Sequence, residues 1–173
     1  AQGIFSFYGL DRWEEIESYV FREDELKRLY LQTSYRSTKQ IMDLANRVIL
    51  NSNYDFPLVI PVNRLGSVPK IEKVDSIGML YEEMVHSIET FKQMGHHKIA
   101  ILTHTKQDAI DTCDQLKRLH VNSVEAIIDG KQSLREEVVV IPSYFVKGLE
   151  FDAVIIQDVS DETFKDETPP PPP

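Results

Sequence analysis

Apolar positions recur along this chain with two different periods. Lys98-Ile-Ala-Ile-Leu-Thr103, Val138-Val-Val-Ile141 and Ala153-Val-Ile-Ile156 are short unbroken apolar runs, the pattern of strands buried on both faces of a sheet. Between the first two, Ala109, Cys113, Leu116 and Leu119 follow Thr105 at three- and four-residue spacing, which predicts a helix opening at Thr105. A longer helix is predicted behind Ser76, with Leu80, Tyr81, Met84, Val85, Ile88 and Phe91 on one face and Gly95 as its stop. Lys70-Ile-Glu-Lys-Val74 alternates like a strand, and Val124 to Ile128 reads as another short one. Strands alternating with helices imply an α/β domain, a mostly parallel sheet with helices packed on it.

Upstream, the apolar run Leu29 to Leu31 reads as a strand that stops at the polar residues Gln32 to Ser34. Tyr35 and Arg36 follow, and Ser37 with Gln40 three residues on fits a capping box at a helix start. Ile41, Leu44, Ala45, Val48 and Ile49 give that helix an apolar face. A strand-to-helix junction of this kind lies where open α/β sheets bind ligands. There, a ring can stack on a base while a planar cation forks onto phosphate. The plain alternative is a surface tyrosine beside an arginine paired with a carboxylate. Asn51 to Gly66 reads as an irregular connection. The aromatic-rich opening, residues 1–10, precedes a short helix expected over Asp11 to Phe21, and the run Pro169 to Pro173 is polyproline-like.

Composition narrows the partners. Nineteen basic and 28 acidic residues leave a net charge of −9, which argues against a general polyanion-binding surface. A narrow groove that stacks a few bases between local cations remains compatible with that balance. No apolar run approaches the ~20 residues of a membrane span, and no secretory pattern opens the chain. Cys113 is the one cysteine; in a helical apolar pattern it reads as a small buried thiol of a reducing, cytoplasmic protein. Gly130-Lys131 lacks the rest of a phosphate loop and reads as a turn.

Val140 to Ile156 holds two strands joined by a turn at Lys147-Gly148, with Glu150 just after it. Glycine there lets the backbone approach a ligand closely, and a carboxylate beside such a turn can accept ribose hydroxyls. Taken with the rest, the chain resembles the UvrD/Rep-type helicases of superfamily 1. Tyr35-Arg36-Ser37-Thr38 with Ile41 and Ala45-Asn46 looks like their motif IV, Lys147-Gly-Leu-Glu-Phe-Asp152 like motif V, and Gln2-Gly-Ile-Phe-Ser-Phe-Tyr-Gly9 like the end of motif III. No room is left between Arg36 and Lys147 for the large accessory domain of UvrD and Rep. With Ile141-Pro-Ser-Tyr144 ahead of Lys147, this looks more like the helicase IV/HelD branch.

The resemblance implies a three-layer, RecA-like fold, mostly parallel with helices on both faces. It implies residues 1–25 as the end of motif III and a connecting helix and 26–160 as the second motor domain; composition reads 161–173 as an acidic, proline-rich tail, disordered or non-native, with a ligand for a proline-reading domain as the alternative for Pro169 to Pro173. Tyr35 would stack on adenine, and Arg36 would be the arginine finger on the γ-phosphate, an element worth roughly 10³–10⁵ in rate. Glu150 would hold the ribose beside Gly148, and Gln2 would sense the γ-phosphate. Phe5 and Phe7 would stack on bases of single-stranded DNA, or else form a hydrophobic plug. His104, Thr105, Lys106 and Tyr144 would contact the tracked strand. The chain departs from the family at Tyr8, where arginine is usual, at Tyr144 in place of histidine, and at His104 in place of arginine.

No phosphate loop, no Asp-Glu pair on a strand to hold Mg²⁺ and no motif VI arginine before the acidic tail occur in the chain. It is therefore expected to be one half of an ATP-dependent DNA helicase, inactive alone. ATP and Mg²⁺ would be held mainly by a first motor domain joined in cis, with Arg36 exposed or loosely paired here. The alternatives are an ATP-driven remodeller of RNA polymerase, as in some HelD relatives, and a non-catalytic binding module on the same fold.

Overall fold

The computed structural model describes residues 31–51, 57–129 and 137–160. Gln2, Phe5, Phe7, the helix expected over 11–21 and the tail from 161 lie outside the described residues. Two compact units are present, divided between Lys73 and Val74. The described residues of both lie in the span 26–160 expected to form one motor domain.

The first unit carries β1 (Thr33–Ser34), α1 (Lys39–Leu50) and β2 (Ile60–Pro61), with β1 and β2 parallel and Thr33 opposite Ile60. Three expectations are corrected here. Of the strand expected over Leu29 to Leu31, Leu29 and Tyr30 lie outside the described residues, Leu31 is fully exposed, and β1 lies in the polar residues expected to follow the strand. The irregular connection holds β2. Lys70 to Val74 forms no strand, and Ile71 is exposed.

Asn46 explains part of this. Its side-chain amide donates to Val59 O (2.8 Å) and accepts from Val59 N (3.0 Å), standing in for a strand residue and holding the chain extended into β2. The start of α1 also differs from a capping box. Its N-cap is Thr38, whose side chain makes no cap bond. Lys39 N donates to Arg64 O (2.8 Å) instead, and Gln40 Oε1 accepts from Gly66 N (2.9 Å). The returning loop therefore does what Ser37 and Gln40 were expected to do. Gly66 suits that approach, since a Cβ there would fall 2.5 Å from Thr38 Cγ2.

The second unit is built on a four-stranded, all-parallel sheet of order β4-β5-β3-β6. Its elements are α2 (Ile77–Gln93), β3 (Ile99–Thr103), α3 (Lys106–Arg118), β4 (Val124–Ala126), β5 (Val138–Pro142), a 3₁₀ turn (Ser143–Phe145) and β6 (Ala153–Ile156). Each helix end follows from its sequence. Ser76 Oγ accepts from Met79 N (3.2 Å). At the other end of α2, Gly95 (φ +85°) closes a Schellman turn, with His96 N on Phe91 O and Gly95 N on Lys92 O, both 3.0 Å. The end of α3 repeats that turn with His120 at φ +62°, through Val121 N on Leu116 O (2.9 Å).

Unbroken apolar strands have two faces to cover. Ile99, Ile101, Val138 and Val140 share one face with Met84 and Ile88 of α2 and Ala109, Cys113 and Leu116 of α3. Ala100, Val139 and Ile141 share the other with Ile127, Phe145, Val146, Leu149 and Phe151. Among the described residues, then, both helices of this unit cover one face and the β5–β6 connection covers the other. Leu119, expected inward, is the exposed C-cap of α3, because the helix ends before its next inward turn. β6, expected to be central, has partly exposed Val154 and Ile156 and pairs only with β3 among the described strands. Burial pushes the Cys113 thiol up from its ordinary pKa, which keeps it protonated and inert.

Leu116 is fully buried at the centre of the helical face. Leu116→Ala should lower unfolding stability by about 2–5 kcal/mol, measured by urea denaturation, whereas Leu119→Ala should cost far less.

Candidate nucleic-acid interface at the strand switch point

β3 leaves its C-terminal end through α3 and returns as β4, on one side and one face. β5 leaves from beside it and returns as β6, on the opposite side and the opposite face. The two crossovers run opposite ways, with the same hand, as parallel connections require. The gap between the C-terminal ends of β3 and β5 is thus a topological switch point, where open α/β sheets take their ligands. Thr103 stands opposite Pro142 at its mouth.

His104, Thr105 and Lys106 follow β3, and Tyr144 and Phe145 follow β5, so the fold brings these sequence-distant residues to one edge. Thr105 is held by a full capping box. Its Oγ1 accepts from Asp108 N (3.1 Å), and Asp108 Oδ2 accepts from Thr105 N (2.8 Å). Thr103 Oγ1 donates to Thr105 O (3.1 Å). The Thr105 hydroxyl oxygen is thereby committed to the helix start, leaving its proton to donate. Lys106 reaches across the mouth, with Nζ 5.3 Å from the Phe145 ring centroid, a cation–π contact. Tyr144 and Phe145 lie 4.7 Å apart, tilted by 56°. Two rings, a lysine and an exposed histidine make a surface suited to stacking flat groups beside a phosphate. Phe145 was not singled out from the sequence; its place next to Tyr144 after an apolar strand was the available signal.

Gly148 and Glu150 sit elsewhere, on the arm that runs from Pro142 at one edge of the sheet to Asp152 at the other. Leu149 N donates to Val146 O (3.0 Å), closing a turn with Gly148 (φ +86°) in its third position. Glycine fills that position without steric cost. A Cβ there would meet nothing within 4 Å, so the turn, rather than a close approach within the protein, requires it. Glu150 is exposed between Leu149 and Phe151, which pack on the core.

Asp152 ends the arm. Its Oδ2 accepts from both His97 N and Lys98 N at 2.9 Å, and its own N–H donates to Lys98 O (2.8 Å). This clasp, also missed from the sequence, fixes where the arm joins the start of β3. On the far side, Thr112 Oγ1 donates to Gln157 Oε1 (2.8 Å), tying the end of β6 to α3.

In the first unit Tyr35, 76% exposed, and Arg36, also exposed, follow the C-terminal end of β1. Arg64 Nη1 donates to Arg36 O (3.3 Å). No cluster of three metal-ligating side chains occurs among the described residues, nor is any described helix long and apolar enough to cross a membrane. The hollow lined by Lys117, Val121, Asn122, Ser123 and Val124 lies where α3 runs into β4 and holds none of the candidate residues.

No protein-family model matches the chain, and no curated protein matches it. Among solved structures it is similar to the crystal structure of the C-terminal domain of a possible DNA helicase from Lactobacillus plantarum WCFS1. The identity is 26% and the TM-score 0.61, over 76% of this chain and 73% of that one. Parallel strands, helices packed on them and this likeness define a RecA-like α/β fold.

The two amide donors hold the Asp152 carboxyl below its ordinary value of 3.8. A depressed folded pKa contributes stability that is present above that value and lost as pH falls through it. Asp152→Asn should therefore flatten the loss of stability below about pH 4 in acid titrations followed by circular dichroism.

Proposed function

We propose that the chain is the C-terminal motor domain of an ATP-dependent DNA helicase or translocase. The observation that carries this reading is the switch point, where Lys106, His104, Tyr144 and Phe145 meet at the C-terminal edge of a parallel sheet. The likeness to a helicase C-terminal domain supports it. In this reading a single strand crosses that edge, bases stack on Tyr144 and Phe145, and Lys106 neutralises a phosphate. Stacking of this kind contributes about 1–3 kcal/mol per base.

ATP would supply the driving hydrolysis, with its phosphates and Mg²⁺ cradled by a first motor domain. Tyr35 and Arg36 suit the opposing half: an exposed ring and a permanently charged fork at the end of a strand. Glu150, exposed on its arm, would take the ribose. The HelD-like assignment and the cytoplasmic setting belong to the same proposal. A remodeller of RNA polymerase is the second reading, favoured by the net charge of −9.

The 173-residue chain alone should neither hydrolyse ATP nor unwind DNA, and turnover by it that Arg36→Ala abolishes would overturn the two-domain arrangement. In the full-length protein, single-stranded DNA should stimulate the ATPase strongly; absence of stimulation would favour the remodeller. Tyr144→Ala should weaken single-strand binding by about 1–3 kcal/mol, and Lys106→Ala should reduce the salt dependence of binding by close to one phosphate contact.

A further inference from the structure

The Phe145 ring is covered where a base would stack. One side of it packs against the cluster of Ala100, Ile127, Val139 and Ile141, and the Tyr144 ring adjoins it at 4.7 Å. Lys106 Nζ lies over the ring, 5.3 Å from its centroid. Because the core fills one side and Lys106 is an exposed residue, the ammonium covers the outward face. A base stacked there would put its own ring about 4.5–7 Å from that centroid, in the space the ammonium occupies. Base and ammonium therefore exclude each other.

The ring itself holds the ammonium in place. No carboxylate lies within ion-pair reach of Lys106 among the described residues, and Asp108, the first acid of its helix, is committed to Thr105 N (2.8 Å). The backbone of Lys106 cannot follow a ligand, because the capping box pins the first turn of α3. Its four-carbon stem can, by rotation alone. Leaving the ring forfeits a cation–π contact, which at an exposed site favours the covered state about two- to fivefold. A phosphate beside the incoming base offsets that loss with a charge-assisted hydrogen bond. An uncharged flat molecule offers no such contact.

We propose that Lys106 is a specificity-determining residue that gates Phe145. It closes the ring to flat molecules without charge and opens it to a strand that brings a base and a phosphate together. The gate deepens the nucleic-acid reading of this edge and rests on it. One consequence separates it from a plain phosphate contact: toward an uncharged strand, Lys106 is an obstacle.

The probes are a short fluorescein-labelled oligothymidine with phosphodiester links and the same oligomer with uncharged methylphosphonate links. Each is titrated into the 173-residue chain at low salt and followed by fluorescence anisotropy. Lys106→Ala should weaken binding of the phosphodiester strand. It should tighten binding of the methylphosphonate strand about two- to fivefold, the strength of the contact removed. In a Phe145→Leu background, which keeps an apolar side chain on the core, Lys106→Ala should no longer tighten it. In the free chain the Lys106 ε-methylene protons should lie upfield in NMR spectra, shifted by the ring current of Phe145. They should return toward their ordinary position on saturation with the phosphodiester strand. Unchanged or weaker binding of the methylphosphonate strand by Lys106→Ala overturns the gate, and leaves the nucleic-acid reading standing where the phosphodiester strand binds. Tightening that survives in the Phe145→Leu background overturns the gate as well. So does absence of the ring-current shift in the unaltered chain, whether or not the variants fold. Failure of the phosphodiester strand to bind the unaltered chain overturns the nucleic-acid reading of this edge and the gate with it.

Discussion

The second unit depends on one pairing, that of β3 with β5. Ile99 to Thr103 lie opposite Val138 to Pro142 in continuous parallel register, and both strands are almost wholly buried. Parallel neighbours cannot be joined by a hairpin, so each must send its chain across the sheet. Because β3 and β5 are apolar on both faces, their crossovers take opposite faces and opposite directions. The switch point is the geometric remainder of that arrangement, opened by the core rather than by any functional residue.

What stands at the switch point is held by short-range devices. The capping box of Thr105 and Asp108 sets the start of α3 and with it the position of Lys106. The 3₁₀ turn after Pro142 presents Tyr144 and Phe145 together. Asp152 then returns the arm to the first residues of β3 through two amide donors. Rigid elements carry the candidate contacts at this edge, and the exposed side chains add the chemistry. Among the described strands, β6 pairs with β3 alone.

The first unit obeys a different constraint. Its two-residue strands are too short to sustain themselves, and side-chain substitutes for backbone bonds complete them. Asn46 doubles as a strand residue for Val59, while Arg64 O and the Gln40 side chain join the loop to the start of α1. Tyr35 and Arg36 emerge between these anchors, which gives an exposed pair a defined origin on the fold.

Periodicity in the sequence alone determined the α/β class, the bounds of α2, the start of α3, the buried strands β3 and β5, and the roles of Ser76, Thr105 and Gly95. Those features depend on residues within a few positions of one another, or on runs that are apolar throughout. Tertiary structure decided the rest. Lys70 to Val74 alternates correctly yet pairs with no strand among the described residues, whereas Thr33-Ser34 and Ile60-Pro61, too short to show a strand period, pair with Asn46 holding the second segment in place. Ser37 and Gln40 match a cap by spacing, but a loop 26 residues away takes the glutamine. The exposure of β6, the clasp of Asp152 and the meeting of Lys106 with Phe145 each join residues about 40 to 55 positions apart. Long-range pairing creates such contacts, and no local pattern in the chain encodes them.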